Sequence, residues 1–174
     1  MLHDVRYGTL QQRRLSFSLG VALYSLLALP ADAGPTARIS ESGQVLELEY
    51  EGAGKTYTDT IPLYRSGRIR YFSAGVGIEE RSATYPPFPL KLIFTAGGKP
   101  YVAGVSVTVQ EINGMTVVSI PQEHVTGPWL FLDAPDGSYR ISATMEGQTE
   151  HLKEVKIERG TQKTLYVRWP EGRE

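Results

Sequence analysis

The chain has 174 residues, of which 41% are hydrophobic and 21% are charged, and its formal net charge is −1. This composition fits one globular domain, and a net charge so close to zero gives no overall field that would attract nucleic acid. The sequence contains no cysteine, which excludes disulfides, thiolate metal sites and a cysteine nucleophile. We therefore expect a core that is held by burial alone and no nucleic-acid partner.

The first 33 residues have the pattern of a secretory signal. Three arginines precede an apolar run at residues 15–29, and the small residues Ala31 and Ala33 follow it. The run is shorter than the roughly 20 residues that span a bilayer as a helix. We expect cleavage after Ala33, no stable membrane span afterwards, and a periplasmic or extracellular protein. A buried N-terminal helix or an uncleaved anchor is the alternative.

Residues 34–88 are predicted to form an N-terminal β extension. In residues 44–51, apolar side chains alternate with glutamates, which indicates a strand with one acidic face in water. The turn Gly52-Ala53-Gly54 leads into residues 55–61, a segment rich in threonine and tyrosine that we interpret as the returning strand of a hairpin. A further strand is expected at residues 68–73.

One short helix is predicted at residues 78–84, where the Tyr85-Pro86-Pro87-Phe88-Pro89 segment ends it because proline cannot continue a helix. The prolines favour an extended, pre-ordered shape of the kind that binds partners. We therefore assign Tyr71, Tyr85 and Phe88 to a possible binding surface. The alternative is a rigid linker that packs Phe88 on the domain.

Residues 89–170 are predicted to form a β-sandwich, followed by a C-terminal tail at residues 171–174. Strand patterns recur at intervals of about 8–12 residues and are separated by turn signals such as Asn113-Gly114. The apolar segment 127–133 precedes an alternating strand at residues 138–145. We expect these two strands to be neighbours that together form the centre of the core.

Four residues of this region are predicted to be structural: Trp129, Gly137, Tyr139 and Trp169. Tyr139 follows a Pro-Asp-Gly turn and resembles a tyrosine that anchors a corner of a sandwich through its hydroxyl. Gly137 is expected to form the turn itself. Exposed aromatic side chains could instead make a platform on which sugars stack, and that alternative stays open.

Several short motifs give the chain a family resemblance. They are Gly75-Val76-Gly77-x-Glu79-Glu80-Arg81, Leu90-Lys91-Leu92-Ile93-Phe94, Val105-Ser106-Val107-Thr108-Val109, Gly127-Pro128-Trp129, Asp136-Gly137-x-Tyr139, Gly147-Gln148 and Trp169. In these motifs the chain resembles exported bacterial proteins described as carboxypeptidase regulatory-like. The resemblance implies an all-β fold, a transthyretin-like or immunoglobulin-like sandwich of about seven strands. The motifs are mainly turn glycines and core aromatics, so they specify a fold far better than an activity. No functional residues are established for the group, and the resemblance therefore implies none here.

Two motifs suggest chemistry but lack the rest of the machinery. His151 and Glu154 have the H-x-x-E spacing of a zinc site, yet no histidine follows them, and strand residues three apart should point to opposite faces. Residues 52–56 resemble the end of a phosphate-binding loop, but Glu49 stands where a glycine is required. We therefore predict no catalytic, cofactor-binding or metal-binding residues. Paired carboxylates for glycoside cleavage stay open.

The sequence thus favours an exported, non-enzymatic β-sandwich module for protein interaction or cell-envelope structure, with an unknown envelope or secreted protein as its partner. The alternative is a carbohydrate- or peptide-binding accessory domain that uses exposed aromatics. It requires at least two of Tyr71, Tyr85, Phe88 and Trp129 to be exposed and close together. A third possibility is edge-to-edge assembly through unpaired strands.

Overall fold

The computed structural model describes residues 34–97 and 101–170. The predicted secretory signal and the predicted C-terminal tail lie outside the described residues. The strands of the described part are β1 (Thr36–Ile39), β2 (Val45–Gly52), β3 (Lys55–Pro62), β4 (Tyr64–Ser66), β5 (Ile69–Ala74), β6 (Leu90–Ala96), β7 (Ser106–Glu111), β8 (Thr116–Ile120), β9 (Trp129–Asp133), β10 (Gly137–Met145), β11 (Gln148–Ile157) and β12 (Lys163–Trp169). The described part also contains one helix, α1, at Ile78–Ser82 and one 3-10 turn at Gln122–His124.

The strands form three sheets. Their orders are β1-β2-β3, β11-β10-β7-β8 and β12-β6-β9-β5-β4. The four-stranded and five-stranded sheets enclose the larger core, and the three-stranded sheet covers the opposite side of the five-stranded sheet. The predicted fold class is confirmed, because the described part of the chain is an all-β sandwich with one short helix. The third sheet adds a further layer to it.

Strand β9 explains why the five-stranded sheet lies in the middle. Its Leu130 and Leu132 belong to the core shared with the four-stranded sheet, whereas Trp129 and Phe131 belong to the second core. Successive residues of a strand point to opposite faces, so a strand that is covered on both sides must be apolar throughout. The continuous apolar run of β9 meets that requirement.

The predicted boundary after residue 88 does not separate an extension from the sandwich. Seven strands, β6 to β12, lie within residues 89–170, as expected. Strand β5, however, pairs with β9, and β4 pairs with β5, so both extend the five-stranded sheet. Tyr71 of β5 lies in the larger core and Phe72 in the second core. Because β5 needs cover on both faces, it belongs to the sandwich.

The expectation that β9 and β10 are neighbouring strands is wrong. Strand β9 lies in the five-stranded sheet and β10 in the four-stranded sheet, so residues 134–136 carry the chain from one sheet to the other. Gly137 is the first residue of β10, and its φ angle is not positive. A turn signal predicts that the chain changes direction, but it does not tell which sheet receives the next strand.

Two hairpin turns depend on positive φ angles. Ala53 and Gly54 have φ values of 50° and 73°, which suits a two-residue turn of type I′ between β2 and β3. The expectation of a two-residue turn at Asn113-Gly114 is wrong by one residue. The backbone N–H of Glu111 donates to the carbonyl of Met115. That loop has three residues and ends on Gly114, whose φ is 92°.

Candidate functional site

The aromatic surface predicted from Tyr71, Tyr85 and Phe88 does not form. Tyr71 is 4% exposed, Phe88 is 1% exposed and Trp129 is also buried, while Tyr85 is partly buried. Phe88 packs edge-on against Phe72 with ring centroids 5.0 Å apart, in the core beneath the three-stranded sheet. The third sheet removes Phe88 and Trp129 from solvent, whereas Tyr71 is buried between the other two sheets. The sequence contains no signal for the position of the third sheet.

Tyr71 is held inside the sandwich by two neighbours. Its hydroxyl shares a hydrogen bond of 2.9 Å with Nδ1 of His124, and the ring of Tyr64 stacks on the same imidazole at 3.8 Å. Burial raises the pKa of Tyr71, with a smaller contribution from Tyr64. The cluster therefore anchors the 3-10 turn to the five-stranded sheet.

Three of the four residues predicted to be structural lie in the core, namely Trp129, Tyr139 and Trp169. The hydroxyl of Tyr139 donates to the carbonyl of Pro135, and Nε1 of Trp169 donates to the carbonyl of Gln148. The structural role predicted for Gly137 is not supported. A Cβ on this residue would lie 3.4 Å from the ring of Tyr139, which is an ordinary contact.

The motif that begins at Gly75 closes the loop between β5 and α1. The carboxylate of Glu80 accepts hydrogen bonds from the backbone N–H groups of Gly75 and Val76, at 2.6 and 3.0 Å. The guanidinium of Arg81 donates to the carbonyl oxygens of the same two residues. The charged residues of this motif thus bind the chain's own backbone.

The Gly127-Pro128-Trp129 motif packs directly against this loop. A Cβ on Gly75 would lie 2.9 Å from the indole of Trp129, and φ at Gly75 is 98°. A Cβ on Gly127 would overlap the carbonyl oxygen of Ala74. Glycine is therefore required at both positions, and these motifs account for tight packing at one end of the five-stranded sheet.

The H-x-x-E pair lies on β11, where the strand is irregular. The pairing with β10 shifts between Tyr139 and Ile141, and Leu152 and Val155 both face the core. Because Leu152 and Val155 pack on the core from either side of this irregularity, His151 and Glu154 both lie on the exposed face, and the expectation that they point to opposite faces is wrong. His151 shares a hydrogen bond of 2.9 Å through Nδ1 with Ser142.

Within residues 34–97 and 101–170, no group of three or more histidine, aspartate and glutamate side chains could hold a metal ion. In that same part of the chain, no helix has the length and hydropathy needed to cross a membrane.

The feature that sequence reasoning missed is the open edge formed by β3. All six residues from Lys55 to Thr60 are exposed, so this stretch is covered on neither face. Within the described residues, β2 is the sole sheet partner of β3, and their pairing has no irregularity. We call this stretch of β3 the open edge.

Two tyrosines organise the inner side of the open edge. Tyr50 of β2 and Tyr57 of β3 are cross-strand partners whose rings stack 5.6 Å apart. The hydroxyl of Tyr50 donates to the carboxylate of Asp59 at 3.0 Å, and this hydrogen bond is the largest cause of the raised pKa of Tyr50. Tyr57 remains 43% exposed at the edge of the pair.

The other sheet edges are shorter or obstructed. Strand β8 has five residues and β4 has three, while β11 is bulged and highly charged. Strand β1 is bridged at its first residue, Thr36, by Thr84, and the end of β12 is tied to β11 by the hydrogen bond from Trp169 to Gln148. Natural proteins protect sheet edges by such means. Strand β3 carries Lys55, Asp59 and the terminal Pro62, but its pairing with β2 has no bulge.

The sequence signal that could have revealed this edge is the lack of apolar alternation in residues 55–60. Strands with one buried face alternate between apolar and polar residues, whereas residues 55–60 carry no aliphatic side chain on either face.

Comparisons of the chain with protein-family models, with curated proteins and with solved structures found no match.

Proposed function

We propose that the chain is an exported, non-enzymatic β-sandwich module that binds another protein chain along the open edge of β3. The observation that carries the proposal is the length and regularity of this edge, which is exposed on both faces. An extended segment adds to such an edge through main-chain hydrogen bonds. Membership of the carboxypeptidase regulatory-like proteins and a periplasmic or extracellular location belong to the same proposal, supported by the sequence motifs and by the signal pattern of residues 1–33.

The register of the hairpin identifies the backbone groups that a partner would meet. The two-residue turn makes Gly52 and Lys55 the first hydrogen-bonded pair, and such pairs alternate along an antiparallel ladder. The N–H and C=O groups of Thr56, Thr58 and Thr60 therefore point away from β2. Pro62, which has no N–H, follows at the next outward position and ends the edge.

The two faces of an added strand would meet different surroundings. On the outer face it would lie beside the threonines, with Glu47 and Glu49 one strand further away and already paired with Arg38. On the inner face it would lie beside Tyr57 and Asp59. The edge therefore offers hydroxyls on one side and an aromatic ring next to a carboxylate on the other.

The carbohydrate-binding alternative loses its basis, because it requires at least two of four named aromatics to be exposed together. Tyr71, Phe88 and Trp129 are buried, and the hydroxyl of the partly buried Tyr85 donates to the carbonyl of Glu80. Peptide binding remains within the proposal as strand addition at β3.

Photo-cross-linking in the cells that make the protein tests the proposal. A photoreactive side chain at position 56 should give a cross-linked product, whereas the same group at Ser119, an exposed residue of edge strand β8, should not. Thr58→Pro removes an outward N–H and should abolish the product, while Thr58→Ala should retain it. A product that persists in Thr58→Pro, or equal products from positions 56 and 119, would contradict strand addition at β3.

A further inference from the structure

We infer that the strand that adds to the open edge is β3 of a second copy of this chain, paired antiparallel about a two-fold axis at Tyr57. The inference rests on the proposed function, since it assigns a partner to the same edge. It follows from the order of side chains along β3 and from the backbone groups that are free there.

Residues 55–59 are self-complementary when the segment is laid antiparallel against itself. The order is Lys55-Thr56-Tyr57-Thr58-Asp59. With Tyr57 opposite Tyr57 of the second copy, each Lys55 faces an Asp59 and each Thr56 faces a Thr58. Aromatic pairs, threonine pairs and opposite charges are the cross-strand combinations that stabilise antiparallel sheets.

The backbone geometry is compatible with this register. Thr56 and Thr58 both direct their N–H and C=O groups away from β2, so hydrogen-bonded pairs form in any register that places these outward residues opposite each other. In the Tyr57-centred register, each Thr56 meets Thr58 of the second copy and exchanges both bonds with it. Backbone geometry therefore permits the arrangement that side-chain complementarity favours.

Neighbouring registers that keep outward residues opposite each other are poorer. A shift in one direction places Tyr57 opposite Asp59 and Lys55 opposite Ile61, which leaves each charge without its counterpart. A further shift places Asp59 directly opposite Asp59 of the second copy, and like charges in that position repel. The opposite shift places Lys55 opposite Tyr57 and leaves Asp59 facing the turn.

The groups required for the pairing are accessible. Lys55 and Asp59 are both exposed, and among the described residues Lys55 has no ion pair. The bond from Tyr50 uses Oδ2 of Asp59, so Oδ1 can accept from the ammonium of the second copy. The stacked Tyr50 and Tyr57 rings would meet the same two rings across the axis and form a row of four.

The proposed assembly stops at two copies, because pairing uses the β3 edge of both. Two three-stranded sheets become one sheet with β1 at both ends, and each β1 is bridged at its first residue, Thr36, by Thr84. A two-fold interface of this kind uses the same patch on both subunits and cannot propagate into a fibre. The inference therefore specifies a dimer.

Charge reversal with complementation tests the pairing. Lys55→Asp places two carboxylates opposite each other at both ends of the pairing, and Asp59→Lys places two ammonium groups there. The solution mass of each protein, purified after expression of the full chain, is measured by light scattering. The parent protein should be dimeric and each single variant monomeric. An equimolar mixture of the two variants should restore the dimer, because every pair is again of opposite charge.

Lys163→Asp, a reversal of an exposed charge on β12, is the matched control and should leave the dimer intact. Circular dichroism of each variant verifies that the fold is retained. If Asp59→Lys fails to fold, the solution mass of Lys55→Asp alone provides the test.

A monomeric parent, a dimeric Lys55→Asp variant, or a mixture of two folded variants that stays monomeric would overturn the inference. Cross-linking from position 56 to an unrelated protein, together with a monomeric parent, would overturn the second copy as partner while leaving strand addition at β3 in place.

Discussion

The hydroxyl of Tyr139 donates a hydrogen bond of 2.8 Å to the carbonyl oxygen of Pro135, across the corner where the chain leaves one sheet and enters the other. Tyr139→Phe removes this bond and keeps the ring. We expect the free energy of unfolding to fall by about 1 kcal/mol, the usual net value of such a bond. Denaturant titration measures it. Tyr166→Phe, on an exposed tyrosine, should change stability by less than about 0.5 kcal/mol, and equal effects of the two changes would contradict the anchoring role.

The same tyrosine makes stability depend on alkaline pH. Burial, followed by the charge of Glu111, raises the pKa of Tyr139 above its ordinary value. The folded state therefore holds the phenolic proton of Tyr139 more tightly than the unfolded state, in which tyrosines titrate at about pH 10. The resulting stability is fully present below that pH and is lost as pH rises through the folded-state pKa.

Unfolding free energies measured between about pH 8 and 11 should therefore decline for the parent protein above about pH 10. The decline should be shallower in Tyr139→Phe. It should not vanish, because burial also raises the pKa values of Tyr71 and Tyr85. Identical pH profiles for the two proteins would show that Tyr139 does not contribute.

Gly127→Ala should be strongly destabilising. The added Cβ would overlap the carbonyl oxygen of Ala74 and lie 2.7 Å from its carbonyl carbon, and backbone cannot move aside as a flexible side chain can. We expect a loss of about 3 kcal/mol, at the upper end of overpacking effects, measured as a lower unfolding midpoint. Gly137→Ala is the control, with a loss below about 1 kcal/mol because its Cβ would make only ordinary contacts. The reverse ranking would contradict this packing.

Two adjacent glutamates should differ sharply. Glu80→Ala removes the acceptor of the N–H groups of Gly75 and Val76, and we expect a loss of about 2 kcal/mol, typical of bonds to charged groups. Glu79→Ala removes a neighbouring charge without a hydrogen bond of its own among those described, and should cost less than about 0.5 kcal/mol. Thermal unfolding of both variants provides the comparison, and similar losses would argue against the role of Glu80 in closing the loop.

Local patterns predicted most strands and the short helix, because alternation and turn residues act over a few positions. The β2–β3 hairpin follows from the alternation in residues 44–51 and from the glycines after it. The placement of β9 and β10 in different sheets does not follow, since a turn signal is the same for a hairpin and for a corner. The burial of Tyr71 and Phe88 depends on sheets that pack from distant parts of the chain.

The edge position of β3 could not be predicted from the sequence for a related reason. The sequence predicts a strand at Tyr57 and its neighbours. Whether that strand lies at the edge of a sheet depends on whether another strand pairs with its free side. The self-complementary order from Lys55 to Asp59 is visible in the sequence. This order indicates self-association only together with two structural facts: both faces of the segment are exposed, and the backbone groups of Thr56 and Thr58 point away from β2.

Residue-resolved amide hydrogen exchange at β3, measured over a range of protein concentrations, tests the central claim most directly. If the open edge pairs with a second copy, the amides of Thr56 and Thr58 should exchange more slowly as the concentration rises. In Lys55→Asp they should exchange rapidly at every concentration. Rapid exchange of both amides in the parent protein, independent of concentration, would contradict self-association through β3.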